Sequence, residues 1–322
     1  MDPFSQVLNA LRLEAGIFLD AEFTAPWCVD PAPGRDARHI LPSAEHVAIY
    51  HLLVEGSCRA RLTDDAAPIE LSAGDLILFP HGDAHRLGSD VRRSPLPAET
   101  LVQVSPEGGL ARIVHGGGGE RTRFICGYLA CDSRLCRPLI GALPRMLRVP
   151  LGDSASASWM VKTLQLAADE SRAPRAGTDA VLTKLSELTF VEALRRYLET
   201  IPPQERSWLA GLRDPHVSRV LGLMHAEPAR QWTVDDLGRE AGVSRSALGE
   251  RFTLLVGEPP MQYLTRLRLA LGARALKEGS EPVIRVAQQV GYESEAAFNR
   301  AFKREFGMPP ATWRRHRRSD GR

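Results

Sequence analysis

Near the C-terminal end one pattern occurs twice, about fifty residues apart, and it leaves the chain little choice of local fold. The first copy runs from Val234 to Pro260 and the second from Ile284 to Pro310. Leu248 and Phe298, Phe252 and Phe302, Gly257 and Gly307, Pro259-Pro260 and Pro309-Pro310, and Tyr263 and Trp313 are each 50 positions apart. Leu237 to Val286 and Gly242 to Gly291 are 49 apart, so the second turn gains one residue. In each copy the apolar residues recur at helical spacing, and a glycine sits where the chain must turn sharply. Ser294 is placed to cap the second helix of its copy. The spacing predicts helix, tight turn, helix, stop, twice in register. Between the copies, Pro259 to Lys277 reads as one long helix with a stripe of Met261, Leu264, Leu267, Leu271 and Ala275, ended by Gly279.

A short outward helix after a tight turn is the recognition half of a helix-turn-helix. In the second copy Ser294, Glu295, Ala296, Asn299, Arg300 and Lys303 are left on the outer face. In the first copy the corresponding set is Ser244, Arg245, Ser246, Gly249 and Glu250. These are the candidate DNA-binding residues. A helical core that merely repeats is the plainer reading, but two copies in register joined by one helix favour DNA.

The stretch Gly291–Pro310 closely fits a known signature, and the chain from about Val217 to Arg315 resembles the DNA-binding domain of the AraC/XylS family of transcription regulators. The resemblance implies seven helices, with two recognition helices entering successive major grooves. Charge agrees. From His216 onward there are 18 Lys+Arg against 12 Asp+Glu, and before it 23 against 27. The basic excess lies on the part that must meet phosphate. The tail Arg314–Arg318 either adds to that contact or is simply solvated.

The first half reads differently. From Ile40 to about Ile125, short β-prone runs alternate with Gly, Pro and Asp clusters. Strands are expected at Glu45–Glu55, Ser57–Leu62, Leu76–Phe79, Thr100–Val104 and Arg121–Tyr128, in a sandwich or barrel. Gly74–His85 has the spacing of the second cupin motif, and His51–Gly56 resembles a degraded first motif. Residues 5–145 thus resemble the cupin sensor domain of a subgroup of the same regulators. Ligand-binding candidates are His51, Cys58, His81 and His85. Imidazoles are common metal ligands, so His51, His81 and His85 are also the candidate metal set. The carboxylate of enzymatic cupins is missing, which favours hydrogen-bonding histidines or an organic ligand over a metal, and no cofactor is assigned. The alternative is a metal-dependent cupin enzyme fused to a DNA-binding module.

Cys126, Cys131 and Cys136 do not have zinc-finger spacing, and buried thiols are preferred over a redox pair. Gly116–Gly119 is expected to be a hairpin connection. From Ser158 to Thr200 the pattern turns helical, with Leu182, Leu185, Leu188, Leu194 and Leu198 offering a packing or dimer stripe. No apolar run spans a membrane and no secretory signal is seen, so a cytoplasmic protein is expected.

The expected architecture is α+β. It comprises a cupin-like ligand-sensing β domain (1–150), a helical dimerisation region (151–202), a linker (203–214) and a DNA-binding domain (215–322). The expected function is sequence-specific transcription regulation without enzymatic activity. The expected partners are double-stranded DNA, a second copy of the chain, RNA polymerase and an unidentified small-molecule effector.

Overall fold

The computed structural model describes residues 2–11, 13–31, 45–64, 67–104, 109–151, 155–171, 175–202 and 204–319. The Ile40 start of the β-rich region, residue 203 and the side chains of the basic tail from 316 onward lie outside the described residues. The chain forms two compact units, neither contiguous in sequence. Leu13–Cys131 with Leu143–Thr200 make the β-rich unit. Met1–Arg12, Asp132–Ala142 and Ile201–Arg322 make the helical unit. The stretch 1–150, read as one domain, is therefore shared between the two. Local pattern along 1–12 and 132–142 carries no mark of which core will receive it.

The β-rich unit contains β1 (Glu14–Thr24), β2 (Cys28–Asp30), β3 (His46–Glu55), β4 (Ser57–Leu62), β5 (Ile69–Ser72), β6 (Asp75–Phe79), β7 (His85–Gly88), β8 (Leu96–Pro97), β9 (Ala111–Gly116), β10 (Arg121–Cys131) and β11 (Leu147–Pro150). Six of these form one mixed sheet in the order β11-β6-β3-β10-β1-β9. The other five form a second sheet, β5-β4-β7-β2-β8. One apolar cluster joins both, with Leu19, Phe23, Leu53 and Phe124 from the first sheet and Ala60 and Leu87 from the second. This is the cupin-like sandwich expected from the motifs.

Several expectations change. Thr100–Val104 is not a strand: Ala98–Leu101 is a 3-10 helix, followed by an isolated bridge between Gln103 and Arg112. The glycine run is not a hairpin either, because β9 pairs parallel with β1, which lies between β9 and β10. The run instead passes over the end of β1, with Gly117 N–H donating to Thr24 O at 2.9 Å and Gly119 N–H to Ala25 O at 2.8 Å. Gly116 has φ +147°, and a Cβ there would stand 2.0 Å from Thr24 O, so the crossing requires glycine. β1 lies outside the expected strands because it is buried almost throughout, which hides the alternation that marks a half-buried strand.

The helical stretch after the sheets is two helices, α3 (Ala155–Glu170) and α4 (Thr178–Thr200), following α1 (Pro3–Leu11) and α2 (Arg137–Gly141) in chain order. The helical unit continues with α5 (Trp208–Arg213), α6 (Pro215–Ala226), α7 (Val234–Ala241), α8 (Arg245–Val256), α9 (Pro260–Glu278), α10 (Val283–Gln289), α11 (Glu295–Phe306) and α12 (Pro310–Ser319). From Pro215 onward that is the expected seven. The expected linker 203–214 holds α5, whose Trp208 and Leu209 are buried. These two side chains belong to the helical core rather than to a solvated connection.

Candidate functional site

The two repeats fold as the spacing predicts, and their ends explain why. Thr233 and Asp236 form a capping box at the start of α7, and Gly242, at φ 71°, ends that helix in the left-handed conformation. Ser244 then caps α8, its Oγ accepting the Ala247 N–H at 3.3 Å. In the second module Gly291 makes the turn at φ 87°, and Ser294 Oγ accepts the Ala297 N–H at 3.2 Å. Gly257 and Gly307, also left-handed, end α8 and α11. Phe298 and Phe302 point inward with Val286, Val290 and Trp313 around them. Burying a phenyl ring in this way contributes about 2–3 kcal/mol. Leu248 and Phe252 are the fully buried counterparts in the first module.

With one face of each helix committed to the core, the other is left to solvent. Ser294, Glu295, Ala296, Arg300 and Lys303 are exposed and Asn299 is half-buried. Ser244, Arg245, Ser246 and Glu250 are exposed and Gly249 is half-buried. The two surfaces differ in how their arginines are paired. Arg245 is held by Asp235, 3.2 Å from its carboxylate, so a phosphate must compete for it. Other basic residues that add to the net charge serve the fold: Arg268 donates to the carbonyls of Pro228 and Arg230, each at 2.7 Å.

The β-rich unit holds an apolar cavity of about 110 Å³ between its sheets. Ala21, Phe23, Ile49, Leu87, Ile113 and Phe124 form much of its wall, and His51 and Cys126 supply its inner polar edge. The four candidate ligand residues do not meet there. His51 lines the cavity. His85 stands beside it, its ring stacked on Phe79 with centroids 3.5 Å apart. Cys58 lines a different depression, with Arg59 and Glu70. His81 donates from Nε2 to Leu143 O at 3.0 Å. The sequence marks Cys126 as a buried thiol but not as a lining residue. The pairing of β3 with β10, which sets Cys126 opposite His51, decides its place.

The histidines form a directed chain. A carbonyl can only accept, so His85 Nδ1–H donates to Asp83 O at 2.9 Å. Its neutral ring then accepts at Nε2 from His51 Nε2–H, at 2.9 Å. That leaves His51 Nδ1 to accept the Cys126 thiol proton at 3.0 Å. Burial keeps both rings neutral. It pushes the His85 pKa down to about 4, and that of His51 well below the ordinary value. The Cys126 thiol is pushed up by the same burial. The candidate metal set His51, His81 and His85 does not converge: His81 is bonded to Leu143 O, while His51 and His85 are bonded to each other. Among the described residues no group of three His, Cys, Asp or Glu side chains is arranged to hold a metal ion.

Two capped helix-turn-helix modules joined by α9, carried behind a cupin-like sandwich, define a DNA-binding regulator. The chain matches a cupin family model over residues 2–199 and a helix-turn-helix domain over residues 237–316. It is 33% identical to a putative AraC-like transcription regulator of Streptomyces antibioticus, over 98% of this chain and 99% of that one. It is 34% identical, with the same coverage, to a putative AraC-like transcription regulator of Streptomyces lividans. The solved DNA-binding domain of AdpA in complex with a target DNA is 30% identical and covers 33% of this chain and 95% of that one, with a TM-score of 0.32. The protein belongs to the family of AraC-like transcription regulators, and it binds double-stranded DNA to regulate transcription.

Proposed function

We propose that this regulator is controlled by a small-molecule effector bound in the cavity of the β-rich unit. The observation that carries this reading is the cavity itself: a space walled by both sheets within the apolar core they share. Binding there shifts the population of regulator states that occupy the operator. His51 sets the cavity's edge with His85 behind it, neither serves as a metal ligand, and the protein is no enzyme. It works in the cytoplasm as a homodimer and meets RNA polymerase at the promoters it occupies. Among the described residues no helix is long and apolar enough to cross a membrane.

Base reading falls mainly to the second module, whose Arg300 is exposed one turn into α11 and held by no carboxylate in its module, in contrast to Arg245. The test begins by mapping bound sites across the source genome and placing one such promoter on a reporter. Arg300→Ala is expected to weaken operator binding by about 1–3 kcal/mol and to relax one base position. Equal binding of all operator variants by the parent and by Arg300→Ala would remove that assignment. A reporter output identical under every growth condition would remove the effector.

A further inference from the structure

The cavity walls define what they can hold. Its inner polar groups are already used: the Cys126 thiol donates to His51 Nδ1, and His51 Nε2–H donates to His85. His85 in turn is tied to Asp83 O. Neither imidazole nor thiol therefore offers a spare strong hydrogen bond or a charge to a guest. The remaining inner wall is aliphatic and aromatic, with Ala21, Phe23, Ile113 and Phe124 among its members. Glu99, the ionisable side chain outside this chain of bonds, is exposed and belongs to the rim formed by the 3-10 helix. A charged or strongly hydrogen-bonding guest would lose its water and receive nothing in return. A neutral apolar guest loses little and removes apolar surface from water on both sides. Size narrows the class further. An apolar protein cavity of about 150 Å³ accepts benzene; the space here is smaller, about 110 Å³, and open at the rim beside Glu99, so its walls seat at most about one ring.

We infer that the cavity takes an uncharged, apolar molecule of about the size of one aromatic ring, a monocyclic or short-chain hydrocarbon or its halogenated analogue. The inference rests on reading this cavity as the effector site and adds the ligand's chemical class.

Fluorobenzene is the probe, followed by 19F NMR with the full-length protein. Saturable broadening is expected, displaced by toluene and not by benzoate or benzylammonium at the same concentration. Ala21 is 2% exposed on β1 and lines the cavity. Ala21→Leu fills the space from the wall and is expected to weaken fluorobenzene binding at least tenfold. Ile113→Val enlarges the space gently, and is expected to bind isopropylbenzene more tightly than the parent does, which keeps the test open if Ala21→Leu folds poorly. No saturable binding to the parent, or equal competition by benzoate, would overturn the ligand class. Saturable binding without any change in reporter output would leave the ligand class standing and remove the sensing role. A reporter response to some other signal, undiminished by Ala21→Leu, would also remove that role.

Discussion

At the scale of single residues, the molecule's polar chemistry is governed by burial. His51 and His85 in one unit and His225 in the other are buried, and the pKa values of His85 and His225 are both pushed down to about 4 by loss of water. An unfolded histidine takes up its proton near the ordinary value of 6.5. The folded state therefore binds fewer protons than the unfolded state between those limits. Stability is fully present above pH 6.5 and falls as the pH drops towards 4, on the order of 1 kcal/mol per pH unit for each such histidine. Urea denaturation at pH 7.5, 6.5 and 5.5 measures this, and equal midpoints at all three would mean that the rings are not held neutral. Gly249 poses a different question. It sits inside α8 on the outer face, and a Cβ there would meet nothing within 4 Å. Glycine costs a helix interior about 0.5–1 kcal/mol relative to alanine, with no packing demand in this structure to offset it. Gly249→Ala is expected to stabilise the protein by about that amount and, on the proposal that α8 docks on DNA with its backbone close at this position, to weaken operator binding. Unchanged affinity in a gel-shift titration would show that α8 does not dock through this position.

At the scale of elements, the strands that wall the cavity also hold the helices behind them. Successive side chains of a strand face opposite ways. Thus Ile49 and His51 of β3 face the cavity, while Tyr50 between them reaches Ser186 of α4, 2.6 Å from oxygen to oxygen. On β1, Leu19 and Ala21 line the cavity, and Asp20 pairs with Arg123 of β10 at 2.8 Å on the other face. Arg123 also reaches Asp169 of α3 at 2.7 Å. A guest that moves these strands must move the anchors of α3 and α4. Tyr50→Phe strips the buried Ser186 of its partner and is expected to cost about 1–3 kcal/mol. It should also blunt the reporter response while leaving operator affinity in place. An undiminished response with the expected stability loss would mean that the signal leaves the cavity by another route. These anchors were not legible beforehand. Tyr50, Asp20 and Ser186 are far apart in sequence, and nothing in their neighbours announces that they meet. The helix ends were legible, because Ser244, Ser294 and the four glycines act on residues only a few positions away.

At the scale of the whole molecule, α3 presents Trp159 and Leu166 to solvent and α4 presents Val181 and Leu188, at 49, 69, 52 and 40% exposure. Each pair is a heptad apart, and large apolar side chains left out in this way on two neighbouring helices are what a dimer face needs. Leu166→Glu is expected to shift the protein from dimer to monomer in analytical ultracentrifugation, with its circular dichroism unchanged. A protein that stays dimeric would place the interface elsewhere. What the amino-acid order determined by itself was everything carried by short-range physics. Helical periodicity, capping hydroxyls and left-handed glycines act within a turn or two of the chain, and two copies in register left the helix-turn-helix pair little freedom. The cupin motifs likewise marked the strands around His51 and His85. Only the tertiary structure decided which of those groups share a space. Sheet pairing set Cys126 beside His51, and the turn before His85 aimed its ring at His51. The packing of two cores assigned residues 1–12 and 132–142 to the helical unit. Those outcomes depend on contacts between residues tens to hundreds of positions apart, whose energies are settled by burial and by the partners that burial brings together.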